Sequence, residues 1–393
     1  MAILHITSDY PPNPLWGMGW HVYFLVKELE KNRKIYVATA QNNKSSHNNV
    51  ITTNKEINKK YLSSDPYEVF DNYGNFILWQ KELAKEIIRK DIKFNIVHCH
   101  NWMSWTTTKE LKKAYPSIRI VSTFHLLQKQ YESMIENPIP SFHEDIINTE
   151  KEMIELSDFI IIQSQSQFNL LKKYSKKLPA GKIKLIYSGI KNNYTGSFKD
   201  LISIKNNEKT INIIFVGRIE LDKGIDLIIE TFVKLLEKFD NIRLHIFGKG
   251  SKLLELKKKF EGKYINFHGY VGREKLEQYL IKSHIYCLPS TSESFGNTVV
   301  EAMSFGVVPI VSSGDTMPDL FTDKVEGLKV PLLRIDQKYQ IDTKNLYNSI
   351  KSLIIDTNKR TFLLKNAFQL GRNKYSIKGM AKNVNNLYEE LLK

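Results

Sequence analysis

The chain has 393 residues, of which 42% are apolar and 25% are charged, and it carries a formal net charge of +15. This length suffices for two domains with separate cores, and the composition excludes a disordered or fibrous chain. No apolar run approaches the roughly 20 residues of a membrane-spanning helix. The start, Met1–Ile6, lacks the basic flank and the long apolar core of an export signal. We therefore expect a cytoplasmic protein.

The basic surplus is spread along the chain and is not concentrated in one tail or helix. Because no nucleic-acid-binding motif accompanies it, we expect no nucleic-acid partner. A weak peripheral contact with anionic lipids at the inner membrane face stays open. The two cysteines, Cys99 and Cys287, lie in separate apolar runs, which predicts buried free thiols and fits a reducing compartment.

Short apolar runs alternate with longer amphipathic stretches. The predicted strands of the first half are Ile3–Thr7, Ile35–Ala40, Ile96–Cys99, Ile118–Thr123, Phe159–Gln163 and Lys184–Tyr187, with helices at Trp20–Glu30, Leu78–Lys90 and Phe142–Leu156. The second half has predicted strands Ile211–Val216, Ile242–Phe247, Ile265–His268, Ile285–Leu288 and Val307–Val311, with helices at Asp222–Leu236, Glu274–Lys282 and Asn297–Phe305. This alternation predicts an α/β fold with two doubly wound parallel sheets and right-handed crossovers.

A polar, turn-rich stretch without periodicity, residues 190–208, separates the two halves. It predicts two Rossmann-like domains, at residues 1–192 and 205–375. The last helix, about residues 376–393, could pack on either domain, including back on the first. Ligands of such folds bind at the carboxyl ends of parallel strands, so we expect a cleft between the domains.

Two glutamates, Glu293 and Glu301, flank a Phe-Gly turn between a predicted strand and a predicted helix. The backbone N–H groups of Gly296, Asn297 and Thr298 would point out of the first helical turn, at the positive end of the helix dipole, where phosphate binds well. A carboxylate beside a phosphate site is suited to hydroxyl groups. Because sugar and ribose rings carry hydroxyls, the segment predicts a nucleotide-sugar pocket.

Arg218 and Lys223 lie on the loop after the first strand of the second half. Two cations five residues apart can converge on one anion, the guanidinium as a planar fork and the ammonium as a point charge. They could neutralise a departing diphosphate without a metal ion. The chain has no Asp-x-Asp pair to present a divalent cation, so we expect neither a metal nor a cofactor. The alternative is two solvated surface charges.

In the first domain, Gly17 and Gly19 follow the first strand in a loop whose backbone can approach a ligand closely. The third glycine of a dinucleotide-binding fingerprint is missing. His100 and His125 lie at or just past two strand ends, where a structural hydrogen bond is the commoner role and ligand contact is the alternative. A metal site at His98 and His100 is not expected, because no third ligand is evident.

Five motifs follow one another along the chain: a glycine loop after the first strand, His-x-His-x-Trp, Thr-x-His, Gly-Arg-x4-Lys-Gly and Glu-x7-Glu. In this order they resemble the retaining GT-B glycosyltransferases of family 4, also called glycosyl transferases group 1. The resemblance covers nearly the whole chain. It implies a metal-independent hexosyltransferase that moves a hexosyl unit from a nucleoside-diphosphate sugar to an acceptor hydroxyl with retention.

The resemblance also implies roles for individual residues. Glu301 matches the glutamate that holds the ribose hydroxyls, and Glu293 matches the one beside the reacting carbon of the donor sugar. Arg218 and Lys223 match the diphosphate clamp, and His125 matches a histidine near the donor sugar. The other expected substrate-binding residues are Gly17 and Gly19, which would close over the diphosphate, His100 near the sugar, and Phe295, Gly296, Asn297 and Thr298 at the phosphate and sugar.

Some positions depart from the family pattern. Trp16 replaces the first glycine of a pair, Asn101 replaces an aspartate of the glucan synthases, and Ser188 and Lys191 replace the Asn and Asp of an Asn-Gly-Val-Asp ending. These differences disfavour a glycogen-type glucan synthase, which stays an alternative beside a GT-B nucleotide-sugar epimerase. A phosphorylase is disfavoured because no pyridoxal-phosphate lysine signature is found. A non-catalytic binding module is disfavoured because the glutamate pair and the clamp are intact.

The first domain is expected to select the acceptor through residues 41–75 and 126–141, which carry no readable code. The acceptor would be a glycan, a lipid-linked sugar or a small molecule, in polysaccharide, glycolipid or other glycoconjugate synthesis. Among UDP, GDP and ADP sugars we favour UDP.

Overall fold

The computed structural model describes residues 2–12, 17–40, 49–62, 72–132, 142–174, 178, 181–291, 293, 295–314, 317–335 and 338–393. Trp16 and parts of the two expected acceptor segments, 41–75 and 126–141, lie outside these ranges. The chain divides into two compact units. The first comprises Met1–Gly189 and Ile377–Lys393, and the second comprises Ile190–Ser376.

The first unit contains one parallel sheet flanked by helices. Its strands are β1 (Ala2–Thr7), β2 (Lys34–Thr39), β3 (Val50–Ile51), β4 (Ile96–His100), β5 (Arg119–Phe124), β6 (Phe159–Ile162) and β7 (Ile183–Leu185). Its helices up to residue 189 are α1 (Gly17–Leu29), α2 (Lys55–Tyr61), α3 (Tyr73–Arg89), α4 (Trp105–Ala114), α5 (Gln128–Glu132), α6 (Phe142–Leu156) and α7 (Gln165–Tyr174). Among the described residues the strand order is β3-β2-β1-β4-β5-β6-β7.

The second unit contains another parallel sheet, with the order β10-β9-β8-β11-β12-β13 among the described residues, and a small antiparallel hairpin, β14-β15. Its strands are β8 (Ile211–Val216), β9 (Ile242–Phe247), β10 (Ile265–Gly269), β11 (Ile285–Leu288), β12 (Val308–Ser312), β13 (Leu328–Val330), β14 (Leu332–Ile335) and β15 (Lys338–Ile341). Its helices are α8 (Phe198–Asn206), α9 (Ile225–Leu236), α10 (Leu253–Phe260), α11 (Arg273–Lys282), α12 (Asn297–Ser304), α13 (Met317–Leu320), α14 (Thr343–Ile355) and α15 (Thr357–Asn373).

The predicted α/β fold with two doubly wound parallel sheets is confirmed. A strand of such a sheet is covered by helices on both faces and is therefore mostly apolar along its whole length. In β1, for example, every residue is buried. The described residues include no helix that is both long enough and apolar enough to cross a bilayer. Cys99 and Cys287 are buried free thiols, as predicted.

The expectation that residues 190–208 lack regular structure is wrong at α8. Ser197 caps this helix, because its hydroxyl accepts from Asp200 N while the Asp200 carboxylate accepts from Ser197 N. This capping box was readable as Ser-x-x-Asp. Near the other end of α8, the buried Lys205 ammonium donates to the carbonyl oxygens of Leu280 (3.1 Å) and Ser283 at the end of α11. These hydrogen bonds hold α8 against the end of α11 within the second unit.

The last helix, α16 (Ile377–Leu391), packs in the first unit. It lies against α1 and buries Met380, Ala381, Val384, Leu387 and Tyr388 in the core of that unit. The chain therefore returns to the first unit after completing the second.

Each sheet has one point where the strand order reverses. In the first unit it lies between β1 and β4, and in the second between β8 and β11. At such a point the loops after the two strands diverge to opposite faces and leave room for a ligand. Most of the residues of interest follow these four strands, whereas His100 is the last residue of β4 and His125 follows β5.

Candidate active site

The loop after β8 carries the two predicted clamp cations. Arg218 Nη2 lies 3.0 Å from Asp222 Oδ2, and Lys223 Nζ lies 3.6 Å from the same oxygen. The Arg218 side chain is 54% exposed, whereas the Lys223 side chain is 11% exposed. Asp222 therefore holds both cations on one side of the loop, one fixed and one able to reach outward.

Lys223 also joins this loop to the one after β11. Its Nζ lies 3.1 Å from Glu293 Oε2. The backbone is held in the same way, because the Ser290 hydroxyl and Thr291 N both donate to the Asp222 carbonyl at 3.0 Å. Two of the residues expected to be catalytic are thus brought into contact at the switch point.

The close approach of the two loops requires a glycine at position 224. Gly224 has a φ of +68°, and a Cβ there would lie 2.5 Å from the carbonyl oxygen of Pro289. A side chain would be strained by the backbone and would collide with the neighbouring loop. The Lys-Gly pair of the sequence motif therefore has a geometric cause.

The N-terminus of α12 lies directly after the Glu293 loop. Gly296 is its N-cap, with a φ of +87° and no side-chain cap. Tyr286 donates its one hydroxyl proton to the Val216 carbonyl (3.0 Å), so the Thr298 hydroxyl must donate to Tyr286 across 2.7 Å. The first turn of α12 is thereby fastened to β8 and β11, while Phe295 is buried against Tyr375.

Glu301 lies in the middle of α12 beside a guanidinium. Its Oε1 is 2.9 Å from Arg273 Nη2, but the angle is not that of a hydrogen bond, and this buried oxygen has no hydrogen-bond partner. Arg273 Nε donates instead to Glu277 Oε1 at 3.0 Å. Burial raises the pKa of Glu301 above its usual range, Arg273 counteracts this effect, and Glu277 reinforces it. The contact of this carboxylate with a ribose stays a prediction.

Two predicted site residues of the first unit, both glycines, lie in a helix. Gly17 and Gly19 are in the first turn of α1 and not in a loop. The proline- and glycine-rich sequence predicts a loop, but both glycines lie in a helical turn. Their predicted contact with a diphosphate stays a prediction, and the amides concerned would be those of a helix N-terminus.

His100 and His125 are adjacent in the first unit. His100 Nδ1 lies 3.1 Å from His125 Nε2, and His100 Nε2 lies 3.1 Å from His5 Nδ1. Both ring nitrogens of the fully buried His100 are thus engaged by other histidines. His100 would act on a ligand only through His125, and the roles of both stay predictions.

Burial keeps the histidines of this region neutral. It lowers the pKa of His5 to about 3 and of His21 to about 4, with His21 adding to the effect on His5. It also lowers the pKa values of His98, His100 and His125 well below the ordinary value, and the neighbouring histidines add to the effect. Each ring therefore carries one proton at neutral pH.

The expectation that His98 and His100 lack a third histidine is wrong. His5 on β1 is paired in register with His98 on β4, and the three side chains place ring nitrogens within 4.8 Å of one another. All six ring nitrogens are nevertheless engaged in hydrogen bonds, with one another or with Thr123, His125 and Tyr388. A metal ion bound by these three histidines would have to replace some of these hydrogen bonds.

Several residues of these sites were missed from the sequence. Asp222 stands between the clamp cations, and its position next to Lys223 was an available signal. His5 was a polar residue within an apolar strand, which was also visible. Arg273 and Tyr388 come from distant helices, and nothing local in the sequence points to their partners.

We predict that the protein loses stability as the pH falls below about 6.5. Below that pH the histidines of the unfolded chain bind protons, whereas the buried histidines of the folded protein, with their lowered pKa values, do not. The free energy of unfolding therefore falls by about 1.4 kcal/mol per pH unit for each such histidine. Urea unfolding at pH 7.5, 6 and 5 measures the slope. His245→Gln removes one histidine whose pKa burial lowers to about 4 and should reduce the slope by one histidine's share. A pH-independent midpoint would contradict the assignment.

Family models match both units. Residues 16–193 match the Glycosyltransferase Family 4 model, and residues 198–369 match Glycosyl transferases group 1. An uncharacterized glycosyltransferase of Methanocaldococcus jannaschii, MJ1607, is 24% identical over 99% of this chain and 98% of its own length.

Solved structures show the same fold. Sucrose-phosphate synthase from Thermosynechococcus elongatus superposes with a TM-score of 0.80 at 19% identity, covering 100% of this chain and 99% of that one. Anabaena HepE in complex with UDP-glucose superposes with a TM-score of 0.73 at 14% identity, covering 99% and 100%. With the two family models matching adjacent halves, the chain belongs to the family 4 glycosyltransferases and has the GT-B fold.

Proposed function

We propose that this glycosyltransferase moves a hexosyl unit from a nucleoside-diphosphate sugar, UDP-sugar being favoured, to an acceptor hydroxyl, with retention at the anomeric carbon and without a metal ion. The observation that carries the proposal is the contact between Lys223 Nζ and Glu293 Oε2, 3.1 Å long, at the switch point of the second sheet. It places a fixed cation and a carboxylate side by side.

The cations would take the diphosphate. Lys223 is held in place by Asp222 and Glu293, whereas the exposed Arg218 guanidinium can turn toward a ligand. Together with the N-terminal amides of α12, they provide positive charge where a phosphate leaving group develops negative charge. These two cations would supply the neutralisation that a divalent ion supplies in other enzymes, which supports a metal-independent reaction.

The carboxylates would take the hydroxyls. Glu293 lies against Lys223, so its role would be to orient the sugar whose phosphate bond is breaking. Glu301 lies about one helical turn into α12, its Oε1 makes no hydrogen bond, and its role would be to hold the ribose. Of the first-unit residues, His125 would contact the donor sugar, and Gly17 and Gly19 the diphosphate.

The chemical step would break the bond between C1 and the phosphate oxygen and form one between C1 and the acceptor oxygen on the same face. The proton of the acceptor hydroxyl would pass to the departing phosphate oxygen. In this scheme no side chain becomes covalently attached, and Glu293 stabilises the positive charge at C1 without attacking it.

The donor and the class of acceptor come from weaker support. Anabaena HepE holds UDP-glucose on the same fold, which favours UDP here. The acceptor would belong to polysaccharide, glycolipid or other glycoconjugate synthesis, and a peripheral contact at the inner face of the cytoplasmic membrane would suit the basic surface charge.

The donor can be identified without knowing the acceptor. We expect slow hydrolysis of one nucleotide sugar in a panel of UDP, GDP and ADP sugars, because water can replace the acceptor. Proton NMR of the first-formed sugar should show the anomer of the donor, and excess EDTA should leave the rate unchanged. Release of an epimerised sugar would favour the epimerase alternative. If no nucleotide sugar is bound or hydrolysed, the proposal is wrong.

Removal of either clamp cation should impair turnover. Arg218→Ala and Lys223→Ala should each lower kcat by about 100- to 1,000-fold, the usual cost of one preorganised contact to developing charge. Lys257→Ala is the matched control, since Lys257 pairs with Glu261 on the surface of α10. Circular dichroism verifies the fold of each variant. Full activity in both clamp variants would remove them from the mechanism.

The Glu301 carboxylate should contribute to nucleotide binding. Glu301→Gln should weaken UDP binding by about 10- to 150-fold, the loss expected for hydrogen bonds to a charged group. Calorimetry measures the affinity. Glu277→Gln is the control because Glu277 shares Arg273 but is not expected to touch the ribose. Equal losses in both variants would mean that the effect passes through Arg273.

A further inference from the structure

One side of α3 carries exposed apolar and basic side chains in a single row. The row, which we call the α3 stripe, consists of Leu78, Lys81, Lys85 and Ile88. Spacings of three and four residues place these side chains on the same side of the helix. Leu78 is 44% exposed and Ile88 is 37% exposed, and both lysines are exposed as well. The α3 stripe lines a surface groove that also includes Glu110 of α4.

The acidic side chains beside the α3 stripe are less exposed than the basic ones. Each pairs at 2.8 Å with a cation three residues further along the same helix, in the pairs Glu82–Lys85, Glu86–Arg89 and Glu110–Lys113. The three cationic side chains are each 72% exposed, whereas none of the three carboxylates is more than 34% exposed. The positive charges therefore project further into solvent, and a partner that approaches α3 meets them first.

The helices that pack against α3 extend this basic surface. Helices α2 and α4 both contact α3, and the three helices together contain nine lysines and arginines against four glutamates. The exposed lysines of α2 are Lys55, Lys59 and Lys60. Not every helix of the first unit is basic, since α6 contains five carboxylates and one lysine. The charge of the unit is therefore unevenly distributed, and α2, α3 and α4 carry a large share of the positive part.

An anionic lipid bilayer has the chemistry that complements this surface. It presents phosphate groups above hydrocarbon, so lysines can contact the phosphates while leucine and isoleucine side chains enter the hydrocarbon boundary. Leu78 and Ile88 lie at the two ends of the α3 stripe, about 15 Å apart along the helix axis, with both lysines between them. A nucleic acid would match the charge but would offer no hydrocarbon to these two side chains.

We propose that the α3 stripe docks the protein on anionic phospholipids, with α3 lying parallel to the plane of the bilayer. The inference names the surface for the peripheral membrane contact that is part of the proposed function, and in that respect it rests on the proposed function. Docking itself requires no glycosyl transfer. Because only two apolar side chains and a few exposed cations take part, the attachment is reversible and depends on the charge of the lipids.

Vesicle binding tests the charge of the α3 stripe. The wild type should sediment with vesicles of equal parts phosphatidylcholine and phosphatidylglycerol, and it should stay in solution with phosphatidylcholine alone. Lys81→Gln combined with Lys85→Gln should weaken binding to the mixed vesicles by about 30-fold, which corresponds to about 2 kcal/mol for two cations near an anionic surface. Both side chains are exposed, so the variant should keep its fold, and circular dichroism verifies this.

Lys258→Gln combined with Lys259→Gln is the matched control. It removes the same charge from two exposed lysines of α10 in the second unit and should leave vesicle binding unchanged. An equal loss in both double variants would mean that the net charge of the whole chain drives the attraction, and the proposal would be wrong. It would also be wrong if the wild type does not bind the mixed vesicles, or if the variant of the α3 stripe abolishes RNA binding or dimerisation while vesicle binding persists.

A fluorescent label tests the apolar part of the α3 stripe. The two native cysteines are buried, so an environment-sensitive dye should react with the thiol introduced by Leu78→Cys. Mixed vesicles should shift its emission to shorter wavelength. The same dye on Leu254→Cys should not respond, although Leu254 of α10 is 80% exposed. An unshifted emission at both positions would overturn the insertion of α3.

Activity separates this inference from the proposed function. Hydrolysis of the donor in solution should be the same in the double variant at Lys81 and Lys85 as in the wild type, because no residue of the α3 stripe belongs to the candidate active site. If no nucleotide sugar is hydrolysed while vesicle binding depends on the α3 stripe, the proposed function fails and the docking surface stands. If hydrolysis occurs but vesicle binding does not depend on the α3 stripe, only the docking surface fails.

Discussion

The contact between Lys223 and Glu293 is the interaction on which the arrangement of the second unit's site depends. It joins the loops after β8 and β11. These strands are neighbours in the sheet, although β11 begins 69 residues after β8 ends. The Asp222 carbonyl of the first loop accepts a hydrogen bond from Ser290 of the second loop. The two loops also meet at Gly224, where a side chain has no room. A cation, two carboxylates and the first turn of α12 consequently stand at one end of one sheet.

In the first unit, two of the predicted site residues, His100 and His125, belong to a network of buried histidines. This unit buries a group of neighbouring histidines whose charged forms would be costly, and it hydrogen-bonds these neutral rings to one another, to hydroxyls or to an amide. The group consists of His5, His21, His98, His100 and His125. Such a network is rigid because no ring can change its proton without its neighbours. The Arg218 side chain, by contrast, is 54% exposed and lies within reach of a ligand in solution.

Much of the fold followed from periodicity. The apolar runs located most strands within one or two residues, and helix Phe142–Leu156 was predicted with its observed bounds. The capping box of α8 was present in the sequence but was outweighed by the surrounding asparagines and lysines. The hairpin β14-β15 was not predicted, since its strands are short and follow no strong alternation. Among site residues, those within one loop were accessible, whereas Arg273 and Tyr388 depend on packing between distant segments.

The path of the chain has a consequence for how the protein is made. The backbone leaves the first unit after Gly189 and re-enters it at Ile377, and Ile190 pairs with Ser376 where the two passages meet the second unit. During synthesis the amino-terminal sheet must wait, with the groove for α16 uncovered and the phenol of Tyr388 missing from among its histidines, until Ile377–Leu391 has emerged. The second unit, being continuous in sequence, can complete its own core first.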